Sequence, residues 1–547
     1  MRVPGVVHVH TTLSDGGGTP DEVIAAAAAS ELGFLVITDH NNLDAKSVEG
    51  YRPYKKKVEI DSAARSDASL LVIVGTEVST TAGHVLALGV PDPIYRFPGD
   101  VHETLADIRD LGGVAFAAHP VSPRPDFRWT GWEEPGPWGL ELLNGDSQWR
   151  SAGWWRLLRT AASYRLNPRY ALLGSLTAPD ETLGRWDVLL RERDVVGLVG
   201  ADAHSRVPIR KDTAVRFPSY ESLFQLARNY VLLDAPLSGD AAADTTAVLA
   251  ALARGRSYVG LDALAPAGGF SFVARAGDRR FTMGDTVNVE SGVTLEAGGA
   301  LPAGATIRLL RDGLPVAEGQ GRIIRDKVAT GVYRVEVRVR GWDVPWVLSN
   351  PIAVVDDATG TRRRQQGAWP IDPPPPAPVI ALDAFDDRTT FDAEADPTSA
   401  VDKPALDPHA GPDGTGAARL AFRLAAPTAT QRYTHCALVD RTKRDLRGRR
   451  GLTFKIRSDR DYRIELQVRD ENPASGDDGE EWWFTSVRST PAWRTAVVPF
   501  SRLRSINPKS DGILDLDKIR ALVFVLDHGS IKTGTQGTIW IDDLAAY

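Results

Sequence analysis

The chain has 547 residues, 43% of them hydrophobic and 25% charged, with a net charge of −7 at pH 7. Against a usual domain of ~150 residues this length predicts more than one core. The acidic balance excludes a nucleic-acid or membrane scaffold built on bulk positive charge, and apolar runs such as residues 70–74 and 521–526 fall far short of the ~20 residues of a transmembrane helix.

In chain order, residues 6–9, 34–37, 70–74, 114–118, 140–143 and 195–199 read as buried strands. Between the first two, Thr19 can cap a helix with Pro20 at its first position, Glu22 completing a capping box and Gly33 ending it. Further helices are expected near residues 54–67, 101–111, 149–165 and 181–193. This sequential β/α order points to a barrel or an open doubly wound sheet. No GxGxxG or GKS/GKT loop follows a strand, so nucleotide-cofactor folds lose support.

After a helical stretch at 246–253 the period changes to two. In residues 333–340, Tyr333, Val335, Val337 and Val339 take one face and Arg334, Glu336, Arg338 and Arg340 the other, as in a half-buried antiparallel strand. The α/β part is therefore expected over residues 1–265 and a small β-sandwich over 266–358. Residues 359–379, from Arg362-Arg363-Arg364 to the prolines Pro373 to Pro376, read as an extended polyproline linker. Residues 380–547 alternate again at 462–469 and read as a second all-β unit.

The lone cysteine, Cys436, excludes an intrachain disulfide and a thiolate metal cluster, so a metal here must be held by nitrogen and oxygen. Seven of the ten histidines precede residue 205. His8 and His10 end the first strand, Asp39 and His40 follow the second, Glu77 the third, His119 the 114–118 strand, and Asp202 and His204 the 195–199 strand. In a parallel barrel those ends meet on one face. Imidazoles at i and i+2 of a strand share a side and can chelate one ion, and such a donor set suits Zn, Mn or Fe in a cluster. Bridged ions generate hydroxide at neutral pH and clamp a phosphoryl or acyl oxygen, which is a hydrolase's chemistry.

The segments HVHTTLSDG (8–16), ITDHNN (37–42), GTEVSTTAGHVLALG (75–89), GGVAFAAHP (112–120) and GADAH (200–204) resemble the polymerase and histidinol phosphatase (PHP) metallo-phosphoesterases. The resemblance covers roughly the first 260 residues and implies a distorted seven-stranded β/α barrel with two to three divalent ions, Mn, Zn or Fe. By that resemblance His8, His10, Glu77 and Asp202 hold one ion. Glu77 bridges to a second, held also by His84 and His119, and Asp15, His40 and His204 hold the third. Turnover is then expected to depend on Glu77, His84, Asp202 and His204, while Asp39 orients an imidazole. Arg124, Arg206 and Arg210 stand where a guanidinium can hold a phosphate. The implied substrates are phosphate mono- or diesters, 5′-phosphorylated nucleotides or oligonucleotides among them. TTAGHVLALG also looks like a carbaryl-hydrolase-like branch that cleaves esters and carbamates. A reading from another class is a glycan-binding or adhesion protein with a structural barrel.

Residues 266–358 look like an immunoglobulin-like domain. Residues 380–547 are similar to galactose-binding-like or carbohydrate-binding jelly-roll modules, through ALDAFDD near their start and TIWIDDL at their end. Asp386, Asp387 and Asp542 are candidates for a structural Ca²⁺ site. Trp482-Trp483-Phe484 puts aromatics on both faces of a strand, so that a ring is available to stack on a sugar. The expected place is extracellular or periplasmic if a leader has been removed and cytoplasmic if Met1 is the native start.

Overall fold

The computed structural model describes residues 1–57, 65–136, 138–210, 213–368, 379–403, 405–474 and 479–547. The chain divides into two units, Met1–Asp92 with Gly99–Pro370, and Pro93–Pro98 with Ile371–Tyr547. Among the described residues no helix is long and apolar enough to cross a membrane.

The first unit runs β1 (Arg2–Val9), α1 (Pro20–Ala29), β2 (Phe34–Ile37), β3 (Gly50–Lys57), β4 (Arg65–Val74), β5 (Thr76–Thr80), β6 (Gly83–Leu88), α2 (Val101–Asp110), β7 (Val114–Ala117) and β8 (Trp138–Asn144). It continues with α3 (Gly145–Ser151), α4 (Trp154–Tyr164), α5 (Pro168–Leu173), α6 (Asp180–Glu192), β9 (Gly197–Ala203), β10 (Val207–Arg210), β11 (Thr213–Val215), α7 (Tyr220–Phe224), β12 (Arg228–Leu232), α8 (Ala241–Ala253) and β13 (Ser257–Gly260). Parallel pairing runs β4–β2–β1–β9–β8–β7, after which β6 pairs antiparallel with both β7 and β5. Only Gly75 separates β5 from β4, so the hydrogen-bonded path returns to its start and the sheet closes on itself. Val7, Val36, Ile73, Leu86, Phe116 and Leu198 fill its core. Glycine makes room there: a Cβ at Gly5 would stand 2.3 Å from the Phe34 ring.

Local signals account for much of this. Thr19 and Glu22 form the expected capping box of α1. The helix stops at Ser30, and Gly33 instead allows close packing, since a Cβ there would lie 2.5 Å from Val3. The helix expected at 54–67 is absent where the structure is described: β3 pairs antiparallel with β4, Gly50 against Val72 and Lys57 against Arg65, and residues 58–64 lie outside the described residues. The apolar end of β4 offers an edge that captures this segment, and pairing overrides its helical preference. The single helix expected at 149–165 is two, α3 and α4, parted at Ala152-Gly153.

Past β13, Phe270–Ala276, Arg279–Thr282, Thr294–Gly299 and Arg322–Arg325 make one sheet. Gly331–Val339 pairs with Ala305–Arg311, Val347–Ser349 and Ile352–Val355, and Val347–Ser349 pairs with β13, so hydrogen bonds join this segment to the barrel's sheet. The polar face expected to be open at 333–340 is partly closed: Arg334 is only 2% exposed and grips Asp187 of α6 through two bonds of 2.7 Å. A buried guanidinium needs such a paired carboxylate. The linker expected at 359–379 begins instead as a helix, Asp357–Gln366, capped by Asp356 and held by the buried Arg363, which donates to the Leu190 carbonyl and to Asp194. Pro373 to Pro376 lie outside the described residues.

The second unit pairs a seven-stranded sheet with a five-stranded one. They face each other across an aromatic core in which Phe454 of Gly451–Ser458 meets Phe524 of Ile519–Asp527 at 5.0 Å. Alternation along Glu480–Ser489 buries Trp483, whose indole N–H donates to Asp470 (3.1 Å), and leaves Trp482 39% exposed beneath the Arg469 guanidinium at 3.9 Å.

Candidate metal centre

The closed sheet delivers its polar residues where its strands end. His8 (φ 69°), His119 (φ 32°) and Asp202 (φ 47°) all take left-handed backbone. Such a conformation costs a side-chain-bearing residue roughly 1–3 kcal/mol, so the surrounding structure must impose it. Glu77 arrives differently, on the β5–β6 hairpin rather than beyond a strand. Pairing of Ser79 with His84 and of Glu77 with Leu86 puts Glu77 and His84 on one face.

Glu77 is the hub. His8 Nε2, His10 Nε2 and His40 Nδ1 each lie 3.2 Å from its Oε2, and His84 Nδ1 (2.9 Å) and His119 Nε2 (2.8 Å) face its Oε1. Asp202 Oδ1 stands 3.4 Å from both His8 Nε2 and His10 Nε2. Asp15 Oδ1 lies 3.1 Å from His204 Nε2 and 3.7 Å from His40 Nε2. The nine side chains named above as ligands are thus brought together. His8 Nε2, His10 Nε2 and His40 Nδ1 are buried and have no hydrogen-bond partner. Buried imidazole nitrogens without partners, aimed at one carboxylate oxygen, are what a multivalent cation would satisfy. Groups able to hold an ion form around His10, Asp15, His40 and His204, around His8, His10 and Glu77, and around His40, Glu77 and His84.

The electrostatics agree. Burial would raise Glu77 and Asp202, yet the imidazoles around them, His8 foremost, hold both carboxyls well below the usual range. Burial lowers His40. It also works against protonation of His119 and His204, but Glu77 and Asp15 respectively outweigh it and push each up to about 9. The ion-free site is therefore a nest of carboxylates charge-compensated by protons.

The direct support of the imidazoles comes from a residue that sequence reasoning missed. Glu141 of β8 lies 2.6 Å from His8 Nδ1, accepts the His119 backbone N–H at 2.6 Å and accepts from Asn144 at 2.7 Å. With Nδ1 donating to Glu141, the lone pair of His8 Nε2 points at the cluster. A glutamate inside the apolar run Leu140-Glu141-Leu142-Leu143 was a legible signal, because a buried charge requires a partner. Asp39 does not touch an imidazole directly. It accepts from Thr11 N and Oγ1 (2.7 Å each) and Ser14 Oγ (2.5 Å), and Ser14 Oγ is 3.4 Å from His10 Nδ1, so Asp39 pins the loop and reaches His10 through Ser14.

Of the candidate phosphate contacts, Arg124 lies over the Phe127 ring at 4.4 Å, and that ring is 4.8 Å from the His84 ring. Arg206 donates to the Asp15 carbonyl at 3.3 Å. These two stand beside different groups of the cluster. Arg210 ends β10, and its side chain lies outside the described residues. For the calcium expectation, the side-chain groups able to hold an ion among the described residues all belong to the first unit's cluster. Asp386 and Asp387 are exposed, whereas Asp542 is buried and accepts the Asp543 N–H at 2.8 Å, so the three carboxylates do not form one ligand set.

Residues 7–108 match the family model described as the PHP domain. The uncharacterized protein MJ1587 of Methanocaldococcus jannaschii is 28% identical over 128 residues, 21% of this chain and 67% of that protein. Among solved structures, a family 11 carbohydrate-binding module from Clostridium thermocellum, in complex with a mixed-linked tetrasaccharide, is 19% identical and covers 31% of this chain and 94% of its own, with a TM-score of 0.25. A family 30 carbohydrate-binding module of a Clostridium thermocellum cellulosomal cellulase is 16% identical over 31% of this chain and 97% of its own, also at 0.25. Scores this low carry no argument about what the second unit binds.

Proposed function

From a chain that carries a PHP domain over residues 7–108, we propose a metal-dependent phosphoesterase acting on phosphate mono- or diesters, with 5′-phosphorylated nucleotides and oligonucleotides as first candidates. The ring β1–β2–β4/β5–β6–β7–β8–β9 is read as its distorted seven-stranded barrel. The observation that carries the reading is the convergence of His8, His10 and His40 on Glu77 Oε2 with buried nitrogens left without partners.

The donor set of imidazoles and carboxylates fits Mn, Zn or Fe. His8, His10, Glu77 and Asp202 would hold one ion, Glu77, His84 and His119 a second, and Asp15, His40 Nε2 and His204 a third. When bound, such ions supply Lewis acidity toward a phosphoryl oxygen and acidify a water molecule. The chain's own residues do the rest. Glu141 fixes the His8 tautomer and, through the His119 N–H, the backbone at His119. Asp39 holds the 11–14 loop under His10. Arg124 and Arg206 offer guanidinium groups beside the cluster for a non-reacting phosphate oxygen. For the second unit, the exposed Trp482 ring under Arg469 supports a glycan-contacting role.

The test is turnover by Mn²⁺- or Zn²⁺-reconstituted protein on a 5′-phosphorylated dinucleotide and an aryl carbamate side by side, with His84→Ala as control. Phosphate release or phosphodiester cleavage that the control lacks is expected. Phenol release from the carbamate alone would move the activity to ester and carbamate cleavage, and glycan binding without turnover on either would favour an adhesion protein.

A further inference from the structure

Beside the cluster lies a cavity of about 150 Å³ whose wall includes Asp202 and His204. Away from these ligands the lining turns apolar, with Leu172, Leu176, Val199 and Leu226 around the ring of Trp149 and that of Phe217. Those two rings meet edge to face, 5.9 Å apart at 65°. The cavity's polar rim carries Arg150, whose Nε donates to Asp146. A second guanidinium, that of Arg206, also lines the cavity.

Resting on the phosphoesterase reading, we infer that this cavity is the enzyme's leaving-group pocket, that it takes a single flat six-membered ring, and that Arg150 holds the anionic head of the same substrate. Size decides the ring. A dry apolar cavity of roughly 150 Å³ accommodates benzene, so one aryl or pyrimidine-sized ring fits here and a purine nucleoside does not. Position decides its role, because a ring seated against the Trp149–Phe217 pair shares the cavity with Asp202 and His204, where the reacting ester oxygen of the same molecule would sit. Trp and Phe edges suit a flat partner, and the guanidinium suits a phosphoryl or phosphonyl group held by two oxygens.

The test uses the full, metal-loaded chain and two unreactive probes, methylphosphonate and benzylphosphonate, whose dissociation constants are measured by calorimetry. Burying one phenyl-sized group should make benzylphosphonate bind about 10- to 100-fold more tightly than methylphosphonate. Leu176→Trp, which fills the cavity, should erase that ratio and leave methylphosphonate within about twofold; Phe217→Ala, at a half-buried position, should reduce the ratio. Arg150→Gln should weaken both probes alike. Saturation-transfer NMR with neutral benzyl alcohol reads the ring pocket without any phosphonate, and its signal should vanish in Leu176→Trp. Equal affinity of the two phosphonates together with no benzyl alcohol signal would overturn the pocket while leaving the phosphoesterase reading intact. Ring binding without any phosphonate binding would keep the pocket and overturn that reading and the role given to Arg150.

Discussion

Sequence offered two places for metal ions, and the structure treats them oppositely. Around Glu77, donors from strands far apart in the chain converge, and buried nitrogens are left facing one oxygen. Around Asp542, a buried carboxylate accepts its neighbour's N–H while Asp386 and Asp387 face solvent. Residue type is equally suggestive in both. What separates them is whether the fold satisfies the polar atoms itself or leaves them for an ion.

The largest effect that sharpens this contrast is loss of the hub. Glu77→Gln and His84→Ala should each lower turnover by roughly a thousandfold or more and reduce bound metal per chain, since the hub carboxylate faces the unpartnered nitrogens of His8, His10 and His40 and lies 2.9 Å from His84 Nδ1. Asp386→Asn, Asp387→Asn and Asp542→Asn should leave both values unchanged. Elemental analysis of the purified variants reads the metal, and full metal content in Glu77→Gln would break the comparison.

Next in size is the support beneath the ligands. A Cβ at Gly200 would lie 1.6 Å from Glu141 Oε1, a space no side chain can share with that carboxylate. Gly200→Ala should therefore displace Glu141 from His8, and Glu141→Gln should weaken its bond, each reducing metal affinity about 10- to 100-fold. Competition with a chromogenic chelator measures this. Unchanged affinity in a folded Gly200→Ala protein would mean that Glu141 does not position the ligands.

How far the sequence was legible follows the same contrast. The strand-end ligands were readable because alternating β/α elements put strand ends on one face, and His8, His10, His40, His119, Asp202 and His204 all stand at such ends. The β5–β6 hairpin was not, because residues 76–88 follow the apolar end of β4 with only Gly75 between, and nothing local marks where one strand stops. Glu141 was overlooked as part of an apolar run. Residues 54–57, with three lysines, carried a helical composition that β4 overrides by pairing, and Arg334 looked solvent-facing until α6 supplied Asp187. In each case the missing information was the partner, which sits far away in the chain.

A smaller effect concerns protons. His119 and His204 are pushed up to about 9 in the ion-free protein, above the ~6.5 of an unfolded histidine. The stability they contribute is complete below the unfolded value and lost as pH rises through 9. Metal ions take neutral imidazoles, so uptake expels protons and strengthens over the same window. The melting temperature of the metal-free protein should fall between pH 6.5 and 9.5 while the rise caused by Zn²⁺ or Mn²⁺ grows. Calorimetry in two buffers of different ionisation enthalpy should show proton release at pH 7.5, and its absence would remove the proton-compensated picture of the ion-free cluster.

The smallest effect tests the other half of the comparison. Burial, aided by the charges of Asp543 and Asp386 and opposed by the Asp543 N–H and Lys455, pushes the Asp542 carboxyl up to about 6. Its contribution to stability is complete below the ordinary ~3.9 and lost as pH rises through 6, so at pH 7.5 the ionised group is a cost. An asparagine keeps an acceptor for the Asp543 N–H without the charge. Asp542→Asn should then stabilise the second unit at pH 7.5 by on the order of 1 kcal/mol, a shift of about 2–4 °C in melting temperature, and change nothing at pH 3.5. A calcium site predicts the reverse sign. Millimolar Ca²⁺ would stabilise the unchanged protein at pH 7.5 and the substitution would abolish that gain, which makes a single pair of melting curves enough to tell a self-satisfied carboxylate from one waiting for an ion.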